Sequence, residues 1–88
     1  NTSASLDHDS ALGNFASLAP GARTGGNVTV GSHTMVGINA AILHNCTIGD
    51  DSVVGGQSLV VEDLPGLCVA YGIPCRVVRE RSHDEKYY

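Results

Sequence analysis

Aliphatic residues recur every six positions along residues 6–61. When the chain is divided into hexads from Leu6, nine of the ten first positions are aliphatic, and Thr24 is the exception. The ten first positions are Leu6, Leu12, Leu18, Thr24, Val30, Val36, Ile42, Ile48, Val54 and Val60. Glycine takes the second position in six of the nine full hexads, and the fifth position is always small or β-branched. Regularity at three positions of one period indicates an internal structural repeat.

A period of six matches neither the 3.6-residue period of a helix nor the two-residue period of a long strand. It predicts a short strand followed by a corner, with the first and fifth positions pointing inward. Glycine at the second position is expected to permit backbone conformations closed to other residues. Three hexads then form one triangular coil, and coils stack at the spacing of parallel strands, about 4.8 Å. The sequence therefore predicts an all-β fold, a parallel β-helix of about three coils.

The hexad period ends after Val61, which divides the chain into a repeat region at 1–61 and a terminal segment at 62–88. The predicted elements of the terminal segment are a turn at 62–66, a strand at 67–71, a second turn at 72–76 and a charged tail at 79–88. Turn-forming Asp, Pro and Gly mark the first turn. For the tail, a short helix and a frayed end both remain open.

The chain has 88 residues and a formal net charge of −4, so we predict one domain that does not bind nucleic acid electrostatically. Four of the five basic residues lie in the last thirteen, where they could hold an anionic ligand. A short triangular prism also has flat faces and open ends. We therefore expect self-association, for which a threefold ring is suitable.

Cys46, Cys68 and Cys75 are odd in number and lack metal-type spacing. Cys46 takes a small inward position of the repeat, so it is expected in the core. Reduced thiols favour a cytoplasmic location. We find no signal peptide and no apolar run long enough to span a membrane, so no membrane association is expected. The histidines lack zinc-ligand spacing, so no metal is expected.

Asp7-His8-Asp9 is the clearest candidate for acid–base chemistry. A histidine beside carboxylates is a good general base, and the hexad frame places His8 outward at a corner. From these residues alone, a general base and a merely solvated histidine both remain open. His33 and His44 have no adjacent acid in the sequence, so we predict that both are solvated.

The repeat is weakest at residues 24–27, where a threonine replaces the inward aliphatic and two glycines follow. One interpretation is a corner with unusual backbone angles. The other is a place where a ligand approaches the backbone closely, because glycine has no side chain to exclude it.

The hexads, the VEDLP turn at 61–65 and the GIPCR sequence at 72–76 together resemble the hexapeptide-repeat acyltransferases with a left-handed β-helix. The run LDHDSALGNFASLAPGARTGGNVTVG at 6–31 closely resembles the sialic acid O-acetyltransferase and UDP-4-amino-sugar N-acetyltransferase group. The resemblance implies the left hand of the helix, a homotrimer and acetyl-CoA as co-substrate.

It also implies direct acetyl transfer with His8 as general base and Asp9 as its supporting acid. Relatives often have Glu at the position of Asp9. Some have a second histidine nine residues after the catalytic one, and here that position is Ser17.

For the donor site, the resemblance implies that Gly26, Ile38 and Gly56 line an acetyl-CoA groove formed by the prism faces of two subunits. Arg76 would approach the 3′-phosphate end of CoA, in keeping with the basic C-terminal segment.

Relatives carry an N-terminal α/β domain that helps to hold a nucleotide sugar. Residues 1–5 here already follow the repeat, so we expect a fragment or a truncated relative, whose acceptor site would be incomplete. The expected function is an acetyl-CoA-dependent acetyltransferase that modifies an amino or hydroxyl group of a sugar or nucleotide sugar. The alternatives are a non-catalytic trimeric assembly module and an acetyltransferase with a non-sugar acceptor.

Overall fold

The computed structural model describes residues 10–80 of the 88-residue chain. Within them the chain forms eleven β-strands and no helix. Nine strands have two residues each: β1 (Ala11–Leu12), β2 (Ser17–Leu18), β3 (Arg23–Thr24), β4 (Thr29–Val30), β5 (Met35–Val36), β6 (Ala41–Ile42), β7 (Thr47–Ile48), β8 (Val53–Val54) and β9 (Leu59–Val60). The last two strands are longer, β10 (Cys68–Tyr71) and β11 (Arg76–Glu80).

Strands one coil apart pair in parallel, and the paired residues of β1 to β9 are eighteen positions apart. Leu12 lies opposite Val30, and Val30 lies opposite Ile48. Three sheets result, with strand orders β1-β4-β7, β2-β5-β8-β10-β11 and β3-β6-β9. The predicted all-β parallel β-helix of about three coils is confirmed, and its arrangement agrees with the left-handed form.

The interior of the helix is built from the first and fifth positions of the hexads, as predicted. Val30 and Ile48 at first positions and Val28 at a fifth position are fully buried. Burying an aliphatic side chain of this size stabilises a protein by about 1.5–3 kcal/mol. Thr24 also points inward, with 8% of its surface exposed. Leu12 is 38% exposed, because a described coil covers it on one side only.

Glycine at the second position is explained by contact between coils. A Cβ added to Gly37 would lie 2.6 Å from the backbone nitrogen of Gly56 in the next coil. At Gly31 it would lie 2.6 Å from the backbone nitrogen of Asp50. Among the described residues no second-position glycine has a positive φ. The expectation that glycine serves an unusual backbone conformation at these positions is therefore wrong.

The left-handed backbone conformation occurs instead at the fourth position, where the chain turns each corner. The fourth-position residues with positive φ are Phe15, Gly21, Asn27, His33, Asn39, Asn45, Asp51 and Gln57. Asn, Asp and Gly accept this conformation most readily. The fourth position therefore follows a composition rule of its own, from which Phe15, His33 and Gln57 depart.

Hydroxyl side chains at the fifth position connect successive coils. Ser10 Oγ donates to the carbonyl of Gly25 at 3.1 Å and accepts the N–H of Val28 at 2.9 Å. Thr34, four hexads further along the chain, makes the same pair of bonds at 2.6 and 3.2 Å. These bonds satisfy backbone groups at the corners, and buried polar groups need such partners.

After Val61 the distance between paired residues shortens from eighteen positions to sixteen. Leu64 pairs with Ile48, and Ala70 pairs with Val54. The last coil is therefore two residues smaller than the coils below it.

The chain then reverses at a turn that contains the cis Ile73–Pro74 peptide, and β11 runs antiparallel to β10. The strand predicted at 67–71 is confirmed as β10. Arg79 and Glu80 belong to β11, so the alternative of a helix is wrong for these two residues. The rest of the predicted tail lies outside the described residues.

Candidate functional site

The predicted general base His8 and its supporting acid Asp9 lie outside the described residues, as does Asp7. The Ser17 position, where some relatives have a second histidine, is exposed in β2. The acid–base half of the expected site therefore remains a prediction from the sequence, and the described geometry bears on the donor half.

Ile38 and Gly56 occupy the same corner in successive coils. The N–H of Gln57 donates to the carbonyl of Ile38 at 2.7 Å, which fixes the two corners against each other. The Ile38 side chain is 56% exposed. Gly56 is exposed too, and a Cβ there would come within 3.2 Å of the Ile38 carbonyl oxygen. An apolar side chain therefore stands beside a notch that exists because residue 56 is glycine.

Tyr71 and Arg76 continue this corner beyond Gly56. A Cβ on Gly55 would lie 2.6 Å from the Cβ of Tyr71, so Tyr71 sits directly on the corner. Tyr71 lies opposite Arg76 in the β10–β11 pair, and both side chains are exposed. We call Ile38, Gly56, Tyr71 and Arg76 the Ile38 edge. The edge contains three of the four residues that were predicted to bind the donor. The fourth, Gly26, is not part of it.

The Ile38 edge combines apolar surface with a cation at one end. Ile73, which is 74% exposed in the turn before Arg76, adds to the apolar surface. Such a strip can hold a long, mostly apolar arm, and a guanidinium binds phosphate well. The four edge residues include no histidine and no carboxylate, the side chains that serve most often as general bases. The edge can therefore bind a ligand, whereas proton transfer needs another group.

Sequence reasoning missed Tyr71 and Ile73. Both flank the GIPCR turn, and two large apolar side chains beside a turn of glycine and proline were the available signal. Tyr71 reaches this corner because β10 pairs with β8 at a separation of sixteen residues, Ala70 opposite Val54, and the hexad pattern does not encode that separation.

Gly26 lies on a different corner from the Ile38 edge. Its carbonyl accepts the N–H of Asn45 at 3.0 Å, and the Asn27 side chain donates to the Asn45 side chain at 2.9 Å. His44 is exposed on this corner. These hydrogen bonds between successive coils account for the turn at residues 24–27 within one subunit.

His33 does have a carboxylate partner, in contrast to the prediction from its neighbours in sequence. Its Nδ1 lies 4.0 Å from Asp51 Oδ1, because Asp51 holds the same corner position one coil later. The ring of Phe15 stacks on the His33 ring with centroids 5.3 Å apart and an interplanar angle of 22°. The pairing of His33 with Asp51 could have been inferred from the sequence, because the two residues are eighteen positions, or one coil, apart.

A separate groove of about 310 Å³ lies between the loop after residue 64 and β11. Its lining residues are Pro65, Gly66, Leu67, Cys68, Val77 and Glu80. None of the residues predicted to bind the donor contributes to it. The groove is therefore distinct from the Ile38 edge, although β11 borders both.

All three cysteines are free thiols with at most 4% of their surface exposed, and the prediction of a core position for Cys46 is confirmed. Burial raises the pKa of the Cys46 thiol, and the carboxylates of Asp63 and Glu62 raise it further. Burial also raises the pKa of Cys75, against the effect of a hydrogen bond with Ser58. The Cys46 and Cys75 thiols therefore hold their protons more tightly than a free thiol, in contrast to reactive cysteines with lowered pKa values.

Residues 10–80 contain no cluster of three or more side chains suited to a metal ion. Over the same range, the structure has no helix that could cross a membrane.

Residues 27–61 match the family model "Bacterial transferase hexapeptide (six repeats)". The galactoside O-acetyltransferase of Escherichia coli K12 is 43% identical over 61 residues, which cover 69% of this chain and 30% of that protein. The chain is thus a β-helix built from transferase-type hexapeptide repeats. It belongs to the bacterial hexapeptide-repeat transferases.

Solved structures agree with this assignment. A mutant of perosamine N-acetyltransferase from Caulobacter crescentus, in complex with CoA and GDP-perosamine, has a TM-score of 0.86 and 38% identity, covering 88% of this chain and 37% of that one. The acetyltransferase domain of PglB from Neisseria gonorrhoeae, in complex with acetyl coenzyme A, has a TM-score of 0.87 and 31% identity, covering 89% and 38%. The chain therefore spans between 30% and 38% of the length of these three relatives.

Proposed function

We propose that this chain is the β-helical part of an acetyl-CoA-dependent acetyltransferase that modifies an amino or hydroxyl group of a sugar or nucleotide sugar. The observation that carries the proposal is the shared edge of Ile38, Gly56 and Arg76. Support comes also from the similarity to acetyltransferases solved with CoA or acetyl-CoA, which extends over 88% and 89% of this chain.

Donor binding follows from the chemistry of the edge. Ile38 and Tyr71 would contact the long arm of acetyl-CoA, with the notch at Gly56 leaving room for it. The Arg76 guanidinium would bond the 3′-phosphate, because a planar guanidinium makes paired hydrogen bonds to phosphate oxygens.

A homotrimer explains why Gly26 lies on another corner. In a threefold ring, the Gly26 corner of one subunit can face the Ile38 edge of the next, and the groove is then formed between two chains. Three buried reduced thiols support a cytoplasmic location, where thiols stay reduced.

The transfer step needs a base, and His8 is the group proposed for it. Its imidazole takes the proton of the acceptor amine or hydroxyl while that nitrogen or oxygen bonds to the thioester carbonyl carbon. The carbon–sulfur bond then breaks, CoA leaves as the thiolate, and the proton passes to the sulfur. Asp9 would fix the imidazole tautomer and stabilise its charged form.

Calorimetry of the full chain with CoA and with 3′-dephospho-CoA tests the donor site. We expect CoA to bind about tenfold more tightly, and Arg76→Ala to remove this preference through loss of a charge-assisted bond. Arg79→Ala, an exposed arginine on the same strand, is the matched control and should preserve the preference. Failure of the unmodified chain to bind CoA would overturn the proposal.

Turnover is then measured as thiol release from acetyl-CoA with sugar and non-sugar acceptors. His8→Ala should lower the rate by roughly 10²–10⁴-fold, the usual contribution of a general base. An unchanged rate would remove His8 from the mechanism. CoA binding without turnover on any acceptor would favour the assembly-module alternative, and turnover on non-sugar acceptors alone would exclude the sugar specificity.

A further inference from the structure

His44 is an exposed histidine on the Gly26 corner, one coil after Gly26 itself. A Cβ on Gly25 would lie 2.7 Å from the backbone nitrogen of His44, so the two turns are in direct contact. Within the described part of the chain the His44 imidazole makes no hydrogen bond and no ion pair, whereas Nδ1 of His33 lies 4.0 Å from a carboxylate oxygen. The His44 side chain is therefore available to a ligand.

The backbone on both sides of His44 is fixed to neighbouring coils. The N–H of Asn45 donates to the carbonyl of Gly26 in the preceding coil at 3.0 Å. The N–H of Leu43 donates to the carbonyl of Val60 in the following coil at 2.9 Å. The imidazole is thus displayed from a rigid position, which lowers the entropy that binding has to overcome.

The residues predicted to bind the donor share one position of the hexad. Gly26, Ile38 and Gly56 are all third-position residues, one on the Gly26 corner and two in successive coils of the Ile38 edge. His44 is the third-position residue of the Gly26 corner in the next coil. It therefore holds the position that would give the Gly26 corner two donor-facing residues, as the Ile38 edge has.

Along the helix axis, His44 lies between Ile38 and Gly56. Paired residues are eighteen positions apart, and one coil rises by about 4.8 Å. His44 is therefore about 1.6 Å above Ile38 and about 3.2 Å below Gly56. In the proposed threefold ring, where the Gly26 corner of one subunit faces the Ile38 edge of the next, His44 would face the space between the Ile38 side chain and the notch at Gly56.

We propose that His44 binds the pantetheine arm of acetyl-CoA from across the groove, an inference that rests on the function proposed above. The arm carries two amide groups and a hydroxyl between its thioester and its phosphates. A neutral imidazole has one donor nitrogen and one acceptor nitrogen, so it can hydrogen-bond to an amide of the arm. Leu43 and Val61, which are each 42% exposed at second positions of this corner, would contact its apolar parts.

The charges on this corner favour the neutral arm over the phosphates of the donor. Glu62 and Asp63 follow one coil after His44, and both are exposed. The Asp63 carboxylate accepts the N–H of Thr47 at 2.8 Å, which holds it on the corner. Two carboxylates repel a phosphate, whereas the Arg76 guanidinium on the Ile38 edge attracts one. His44 is therefore matched to the arm and Arg76 to the phosphate end.

The first test is calorimetry of the full chain with CoA and with 3′-dephospho-CoA. His44→Ala should weaken the binding of both ligands about fivefold, the effect of one hydrogen bond, and should preserve the preference for CoA. His44→Gln should restore binding to within about twofold, because its amide also donates and accepts. Equal binding of CoA by His44→Ala and the unmodified chain would overturn the inference.

His33→Ala is the matched control, because it removes an exposed imidazole from another corner. It should leave the affinity for CoA unchanged. His44→Ala should also unfold at the same temperature as the unmodified chain, since the imidazole has no partner within residues 10–80. Weaker CoA binding that comes with a lower unfolding temperature and is not restored in His44→Gln would assign His44 a structural role and refute the proposed contact.

A mixture of His44→Ala and Arg76→Ala subunits tests the position of His44 across the groove. If each site combines His44 of one subunit with Arg76 of the next, about a quarter of the sites in a random co-expressed mixture contain both residues. Calorimetry should then detect sites with the affinity of the unmodified chain, which neither variant has alone. The absence of such sites from the mixture would contradict the inference.

The same titrations distinguish the failure of this inference from that of the proposed function. If the unmodified chain binds CoA and His44→Ala binds it equally well, the His44 contact is excluded while the donor site stands. If the unmodified chain does not bind CoA, the proposed transferase fails and the His44 contact fails with it.

Discussion

The coils at residues 10–61 and the terminal segment at 62–80 bury their inward side chains through different strand arrangements. In the coils, every paired residue lies eighteen positions from its partner, and each corner repeats the last. In the terminal segment the spacing falls to sixteen, and the chain ends in an antiparallel pair, β10–β11. Both regions bury their inward side chains, yet only the first does so by repetition.

The difference teaches what the repeat actually constrains. Within the coils, close contact explains glycine at most second positions, and turning requires residues that accept a positive φ at fourth positions. The terminal segment keeps one left-handed corner residue, but it is Leu67 rather than asparagine. The regular coils therefore obey local rules at each position, whereas the terminal segment relies on tertiary contacts to hold less suitable residues.

The largest effect is expected where a side chain is added between two coils. Gly37→Ala places a Cβ 2.6 Å from the backbone nitrogen of Gly56, and neither backbone can move without disturbing its coil. We predict a loss of about 3 kcal/mol in the free energy of unfolding, measured by urea denaturation.

Gly66→Ala is the corresponding change in the terminal segment. Its Cβ would meet the carbonyl oxygen of Asp50 at 2.8 Å and no other atom closer than 3.3 Å, so the overlap with backbone is smaller than at Gly37. We expect a loss of about 1 kcal/mol. Equal losses for Gly37→Ala and Gly66→Ala would show that the terminal loop is held as rigidly as the coils.

A smaller effect is expected from the buried thiols at high pH. Burial raises the pKa of Cys46 and of Cys75 above the ordinary value of 9.0. A raised pKa means that the folded state holds the proton more tightly than the unfolded state. The stability from this source is thus fully present below pH 9.0 and is lost as the pH rises through the folded-state pKa.

Urea denaturation between pH 8 and pH 11 measures this decline, and Cys46→Ala and Cys75→Ala should each make it shallower. At Cys46 in the coils, the nearby carboxylates of Asp63 and Glu62 act in the same direction as burial. At Cys75 in the terminal segment, a hydrogen bond with Ser58 opposes it. A decline that is unchanged in both variants would assign the effect to other groups.

The smallest effect concerns the left-handed corners. Leu67→Asn should stabilise the chain by about 0.5–1 kcal/mol, because asparagine accepts a φ of 54° better than leucine. The reverse change in the coils, Asn39→Leu, should destabilise it by a similar amount. Thermal unfolding of both variants measures the pair. Destabilisation by Leu67→Asn would mean that the contacts of Leu67 in its groove outweigh its backbone strain.

The hexad pattern was sufficient to predict the coils, because the aliphatic period states which side chains point inward. Val30 and Ile48 at first positions, and Cys46 at a fifth, are buried as expected. The pattern did not explain the second-position glycines. Glycine is favoured both where there is no space for a Cβ and where the backbone has a positive φ, and the sequence does not distinguish these two causes. The left-handed conformation of Phe15 could not be predicted from its residue type and is seen only in the fold.

For the site, the resemblance brought together Ile38, Gly56 and Arg76, which share an edge in the fold. Tyr71 could not be added from the sequence, since its place depends on the shortened spacing of sixteen residues between β8 and β10. The pairing of His33 with Asp51 could have been found by comparing residues one coil apart. His8 and Asp9, to which the proposal gives the acid–base step, lie outside the described residues.

Strand β11 has a consequence for the behaviour of the molecule at high concentration. Among the described strands it is the last of its sheet, so its outer backbone groups form an edge that another chain could join. Exposed edges of this kind are templates for end-to-end polymerisation into fibres, and charged side chains on the edge strand oppose it. Arg76, Arg79 and Glu80 are all exposed on β11. The strand that carries Arg76 of the Ile38 edge therefore also carries the charges that oppose aggregation through its backbone.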